Sequence, residues 1–142
     1  MRRMHSTKGS AIIEFAFVLP VLLILFFGII EFSVALYDKA IITNASREGA
    51  RAGILYPGAG NPVLTDDQIR TVALQYCENN MITFRDDAAP TVTITHSTSP
   101  DFPEPLLTVA VSYDYTGLGL GTLLSAMGGP IELGASTTMK YE

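Results

Sequence analysis

Cysteine and histidine are scarce in this chain of 142 residues, which contains one cysteine, Cys77, and two histidines, His5 and His96. A single cysteine cannot close a disulfide within the chain. We expect Cys77 to be a small buried hydrophobic residue on a helix, with an intermolecular disulfide as the alternative. Two widely separated histidines do not suffice for a histidine-based catalytic triad or for a zinc site of ordinary ligand spacing.

Sequence motifs of catalysis are missing as well. The chain contains no phosphate loop, no C-x-x-C pair and no dinucleotide-binding fingerprint. The alternating glycines Gly117, Gly119 and Gly121 lack the strand-to-helix context of such a fingerprint, so we expect a flexible loop there. The sequence therefore predicts a protein that is not an enzyme and that uses neither a cofactor nor a metal ion.

Charge is sparse, since 16% of the residues are charged and 48% are hydrophobic. After Leu36, six basic residues stand against twelve acidic ones. An acidic balance argues against nucleic-acid binding and against adhesion to anionic lipid through a basic patch. The length leaves room for one membrane helix and at most one small domain.

One long apolar run lies near the N-terminus. Residues 15–30 carry no charge, and between Ser10 and Leu36 the only charged residues are Glu14 and Glu31. A tilted helix over 10–36 is long enough to cross a hydrocarbon core of about 30 Å. Basic residues precede the run, which predicts a cytoplasmic N-terminus and an outer C-terminal part; they are Arg2, Arg3 and Lys8.

Glu14 is the unusual residue of this segment. An ionisable group at depth in a membrane helix costs about 2.5–3.5 kcal/mol, so a carboxylate there needs a partner or a function. The alternative is that Glu14 lies shallow enough to reach the headgroups. Position in the sequence does not separate these two interpretations.

The same stretch resembles a known family. A basic leader, Gly9, four residues, then Glu14-Phe15 and a leucine-rich run with a Leu-Pro pair look like a type IV prepilin, most closely the TadE-like pseudopilins of the tight-adherence (Flp pilus) system. The resemblance implies cleavage after Gly9 by a prepilin peptidase, which makes Ser10 the mature N-terminus and Glu14 its fifth residue. Ser10 stands where the commonest type IV pilins have phenylalanine.

The family also implies partners and a location. The partners are other pilins or pseudopilins, the prepilin peptidase and the inner-membrane assembly platform. The location is the bacterial inner membrane, with passage into the extracellular pilus after assembly. Two alternatives stay open: a single-pass membrane protein with an outer binding domain and an uncut leader, and a secreted protein released after Ala35.

Beyond the membrane the helix is expected to continue over 37–56. Ala45, Gly49 and Gly53 recur at intervals of four residues and would permit close approach of another backbone. This stripe of small residues can contact a neighbouring helix or dock on the protein's own sheet. The sequence favours neither.

The remaining residues predict an α+β head over 57–142, after a leader at 1–9 and a membrane segment at 10–36. Thr65 and Gln68 form a capping box for a short helix that ends near Glu78.

Alternating residues predict antiparallel strands at 91–95, 107–113 and 131–141. We expect a stiff connection at Pro100, Pro103 and Pro105, and an apolar, glycine-rich loop over 116–130. The long helix and the short helix are expected to cover one face of the sheet.

Overall fold

The computed structural model describes residues 7–55, 64–83, 89–99, 102–117 and 131–141. The elements, in chain order, are α1 (Thr7–Ile54), α2 (Asp66–Asn80), β1 (Thr91–Ser99), β2 (Phe102–Tyr115) and β3 (Ile131–Lys140). The predicted α+β class, with a long N-terminal helix, a short helix and a small antiparallel sheet, is confirmed. Pro100 of the predicted connection and most of the predicted loop at 116–130 lie outside the described residues.

The long helix α1 is unbroken over 48 residues, which corresponds to about 72 Å at 1.5 Å per residue. Pro20 lies inside it. Proline removes one backbone donor, but the helix continues for more than thirty residues beyond it. The side chains of residues 9–27 are exposed, whereas the stretch after residue 37 contributes a buried face. One element therefore serves both as the apolar segment and as part of the head.

The short helix α2 begins where the capping box predicts. The backbone N–H of Thr65 donates to Gln68 Oε1 over 2.9 Å, and the backbone N–H of Gln68 donates to Thr65 Oγ1 over 3.4 Å. Two carboxylates in the first turn favour the positive end of the helix dipole. The buried face consists of Ile69, Ala73 and Cys77.

The sheet has the order β1-β2-β3, and both pairings are antiparallel. Alternate residues of β2 point at the helices and are almost fully buried: Leu107, Val109, Val111, Tyr113 and Tyr115. In the register, Val111 lies opposite Val92 of β1 and Ala135 of β3. Both helices contact the sheet, and α1 and α2 contact each other. The predicted covering of one sheet face by the two helices is thus confirmed.

The first two strands are longer than predicted, and the third agrees with its prediction. β1 runs on to Ser99 and β2 begins at Phe102, so Pro103 and Pro105 lie in a strand and not in a stiff connection. The strand pairing tolerates these prolines because it is irregular there: Pro105 lies opposite Thr98, next to a shift in register. A missing N–H is tolerated where the ladder is already interrupted. The carbonyl of Pro105 still accepts a hydrogen bond from the backbone N–H of Tyr141 over 3.3 Å.

The stripe of small residues on α1 faces the protein's own head. A Cβ atom added at Gly49 would lie 3.3 Å from Ala73 Cβ and 3.3 Å from Val109 Cγ1. At Gly53 it would lie 2.7 Å from Ile69 Cδ1 and closer still to Leu107 Cδ2. The absence of side chains thus lets α2 and β2 approach the helix backbone. Gly49 and Gly53 thus dock on the protein's own head, on the sheet and on α2 together.

We expect Gly53→Ala to destabilise the head by about 1–3 kcal/mol, the usual effect of overpacking a well-filled core. Leu107 and Ile69 are 0% and 1% exposed, so neither has space to withdraw. Gly49→Ala is the matched control, because its closer contacts need only small adjustments and alanine favours a helix by about 0.5–1 kcal/mol over glycine. Amide hydrogen exchange of β2 in the detergent-solubilised full chain measures both. Equal protection in the two variants would contradict the close approach described above.

Candidate functional site

The first candidate surface is the exposed part of α1. This helix is the one element among the described residues that is long and apolar enough to cross a membrane, by length and composition. None of its most apolar stretch is buried against the rest of the chain. Large side chains are exposed on every side of it, Phe15 at 61% among them. Such a surface is compatible with a single-pass membrane protein and needs lipid or protein around it.

The lone carboxylate of this surface lies one helical turn above Ser10. The hydroxyl of Ser10 donates to Glu14 Oε1 over 3.0 Å. Both side chains are exposed, as is that of the adjacent Phe15. Residues four apart lie on the same face of a helix, so the contact follows from the spacing. The structure therefore brings Ser10 and Glu14 together.

Gly9 lies in the same helix, since α1 begins at Thr7 and passes through Gly9 and Ser10 without interruption. The predicted packing residues Ala45, Gly49 and Gly53 are far from this surface, and all three are buried in the head. The sequence-predicted residues therefore form two groups. One lies on the exposed helix, and the other holds the head to the same helix.

A second candidate site, not predicted from the sequence, lies at the end of the head nearest the apolar segment. Asp38 of α1 is fully buried. Its Oδ1 accepts from the backbone N–H of Ile82 over 3.0 Å, whereas its Oδ2 is buried without a hydrogen-bond partner. Burial raises the pKa of this carboxyl, against the opposing effect of the Ile82 hydrogen bond.

Two tyrosines of β2 share this environment. Burial, and then the charge of Asp38, raises the pKa of Tyr113. Burial, followed by the charges of Glu31 and Asp38, raises the pKa of Tyr115 to about 12. The hydroxyl of Tyr115 donates to the backbone carbonyl of Glu31 over 3.2 Å. The last residues of β2 are thereby tied to the point where α1 leaves the apolar segment.

In the sequence, Asp38 is followed by Lys39, and such a pair is typical of the polar residues that follow a membrane segment. Lys39 instead donates to the carbonyl of Gly134 in β3, and Asp38 points inward. The only local signal is spacing, since Asp38 lies three and four residues before the buried Ile41 and Ile42. That spacing predicts that Asp38 lies on the buried face of α1, but it does not identify the group that Asp38 contacts.

A third cluster lies at the far end of the head. His96 Nε2 is 2.9 Å from Asp66 Oδ1, and its Nδ1 is 3.4 Å from the hydroxyl of Tyr141. The His96 and Tyr141 rings are stacked with centroids 6.4 Å apart. His96 is an exposed residue of β1, and its contacts link that strand to α2 and to the end of β3. An exposed pair of this kind contributes at most about 1 kcal/mol.

No group in the described part of the chain has the ligands of a metal site, because three or more metal-binding side chains nowhere come together there. Cys77 is fully buried on α2, as predicted. Burial, with a smaller effect from Glu78, raises the pKa of its thiol to about 11. The thiolate that would react is therefore scarce at neutral pH.

The fold and the exposed helix define a class of chain in which a small α+β head is packed on the C-terminal half of a long apolar helix, an arrangement compatible with a single-pass membrane protein. Residues 9–51 match the sequence model of a family described as TadE-like protein. The predicted resemblance is confirmed over this range, and the family suggests a protein associated with a Tad pilus. Comparison with curated proteins gave no match, and comparison with solved structures gave none either.

The buried Asp38 makes the stability of the head depend on pH. Because its pKa is raised in the folded state, its contribution to the free energy of unfolding is fully present below its unfolded pKa of about 3.9 and is lost as pH rises through the folded value. Asp38→Asn keeps the acceptor for Ile82 and removes the charge. We expect this variant to equal the wild type near pH 4 and to exceed it at pH 8 by about 1 kcal/mol, within the usual cost of an unpaired buried polar atom.

Pulse proteolysis of the full chain in detergent across this pH range measures the difference. Exposed Glu78→Gln is the control, and its profile should follow that of the wild type. A gap between wild type and Asp38→Asn that narrows with rising pH would contradict the assignment.

Proposed function

We propose that this chain is a minor pseudopilin, a structural subunit that enters a tight-adherence (Flp) pilus through α1 and performs no catalysis of its own. The observation that supports this most strongly is the position of the family match. It covers the exposed apolar helix, including Gly9, Ser10 and Glu14, together with most of the helix that carries the head.

The exposure of α1 supports assembly through this helix. An apolar surface of this length is stable only when lipid or protein covers it. In the inner membrane lipid covers it, with the head on the outer side. In a filament the helices of neighbouring pilins take the place of lipid. The assembly platform and the other pilins of the system are the partners that this exchange requires.

Processing after Gly9 would change the electrostatics of the same helix. Cleavage creates an ammonium group on Ser10, and the Ser10 hydroxyl already lies 3.0 Å from Glu14 Oε1. A carboxylate and an ammonium at the edge of hydrocarbon are tolerable when they pair. The pair forms within one chain or between Glu14 and the N-terminus of the next subunit. In either form Glu14 selects and registers partners.

The mature N-terminus tests the processing step. We expect intact-mass measurement of the protein from peptidase-positive cells to show loss of nine residues, leaving Ser10 first. Gly9→Leu should leave the chain uncut, because a peptidase cleft that accepts glycine excludes a branched side chain. Wild type from peptidase-negative cells is the control for the uncut mass.

Other N-termini decide between the alternatives. An intact Met1 in peptidase-positive cells favours the single-pass protein with a binding domain, and Leu36 favours a secreted protein. Cleavage of Gly9→Leu at the wild-type rate would contradict recognition of this glycine.

Glu14→Leu tests assembly. We expect it to insert and fold normally, since removal of the charge lowers the cost of insertion by about 2.5–3.5 kcal/mol. Co-purification with other pilins should fall at least tenfold. Glu31→Leu is the matched control, because it removes the same type of charge at the outer end of the apolar run and should have a milder effect. Normal pilus assembly by Glu14→Leu would show that Glu14 only marks the membrane boundary.

A further inference from the structure

The face of the sheet that points away from the helices is open. Its side chains are short and mostly hydroxylated, and the central strand contributes Thr108, Ala110 and Ser112. A Cβ atom added at Gly134 of β3 would meet no atom within 4 Å. We call this surface the open face. It is flat and is not covered by the described residues.

Two carboxylates lie directly opposite each other at one end of the open face. Asp114 of β2 is paired in the register with Glu132 of β3. Side chains alternate along a strand, so Asp114 points away from the helices, since Tyr113 and Tyr115 are buried against them. Both acids are exposed, and neither forms an ion pair with a described residue. Like charges placed opposite each other destabilise a sheet, and a cation between them removes that cost.

A complementary charge lies on the opposite side of the head. The surface of α1 that points away from the sheet consists of exposed residues at three-to-four spacing: Tyr37, Ala40, Asn44, Arg47 and Arg51. We call it the outer stripe. Arg51 is engaged by Glu48, with Nη2 and Oε1 2.7 Å apart. Arg47 is exposed and forms no ion pair with the described residues.

We propose that the open face of one copy receives the outer stripe of a second copy, with Arg47 of that copy between Asp114 and Glu132. Charge complementarity identifies the occupant, because the chain carries both halves of the contact on opposite sides of the head. Two different patches on opposite sides form a head-to-tail contact, which joins neighbouring copies in a row and does not close as a symmetric dimer. The inference rests on the proposed function, since it concerns copies that meet in an assembly.

The contact also fixes an axial offset between the two copies. Val109 of β2 lies against Gly49 of α1, and the Tyr115 hydroxyl reaches the Glu31 carbonyl, so β2 runs back along α1 towards the apolar segment. Asp114 lies five residues beyond Val109, or about 17 Å, which places the acids near the level of Asp38. Arg47 lies nine residues above that level, or about 14 Å along the helix axis. Two copies at equal depth in a membrane would instead place Tyr37 and Ala40 against the acids. The contact therefore forms when one copy is displaced along its axis, as in a growing filament.

Site-directed cross-linking in the full chain tests the contact. Two differently tagged copies are expressed together with the pilus machinery, one carrying Arg51→Cys and the other Ser112→Cys, with Cys77→Ala in both, so that the cysteines lie beside the contact and its three charged residues are kept. We expect a short bismaleimide to join the two tags in sheared pili at least tenfold more than for Ala40→Cys with Ser112→Cys, the pair that would meet at equal depth. Two copies that both carry Arg51→Cys should not join, because the contact is head-to-tail.

Charge exchange provides an independent measurement. Arg47→Glu should reduce the amount of this subunit in pili about tenfold, and Asp114→Lys in the same chain should restore it. Subunits that enter pili normally without the cross-link between Arg51→Cys and Ser112→Cys would overturn this contact and leave the proposed function intact. A cross-link of equal strength in membranes of Glu14→Leu cells would overturn the axial offset. Wild-type subunits that never enter pili would overturn both proposals.

Discussion

The close approach of α2 and β2 to the backbone of α1 at Gly53 is the constraint on which the rest of the head depends. The core side chains Ile69 and Leu107 occupy the space that a Cβ atom would need. Because β2 is the central strand, its position on α1 also determines where β1 and β3 lie. The short helix is held by the same contact through Ile69. The absence of a side chain at Gly53 thus fixes the position of the other described elements relative to α1.

Two carboxylates on the same helix have opposite environments. Glu14 is exposed on an apolar surface and has a hydroxyl one turn below it, whereas Asp38 is enclosed by the head and has one oxygen without a partner. Exposure lets Glu14 find a partner in another molecule. Because Asp38 is buried, its interactions are with its own chain: the backbone N–H of Ile82 donates to it, and its charge raises the pKa of two tyrosines. Position along α1 therefore separates a carboxylate suited to assembly from one that acts on the stability of the head.

Local patterns predicted the elements well. The capping box at Thr65, the apolar run after Glu14 and the alternation along β2 each depend on residues a few positions apart. What the sequence could not predict depends on residues far apart. The partner of the Gly49–Gly53 stripe came from β2 and α2, and the partner of Asp38 came from residue 82. The prediction of a stiff connection at Pro103 and Pro105 was wrong, because these prolines lie in β2 next to a shift in register that accommodates them. Local propensity does not reveal such a shift.

The candidate site followed the same division. Gly9, Ser10, Glu14 and Phe15 are adjacent in sequence, so a local pattern contained them, and the family match covers them. The opposed acids Asp114 and Glu132 are brought together only by the β2–β3 register. Their meeting depends on how β2 and β3 pair, and that pairing is not encoded in the residues around each acid.

The continuity of α1 has a mechanical consequence. The helix has no break between Thr7 and Ile54, and its outer half is fastened along the head from Asp38 to Gly53. A force applied to its inner end is transmitted along a column of hydrogen bonds without passing through a flexible linker. Axial displacement or rotation of the N-terminal end of α1 is therefore coupled directly to the position of the head.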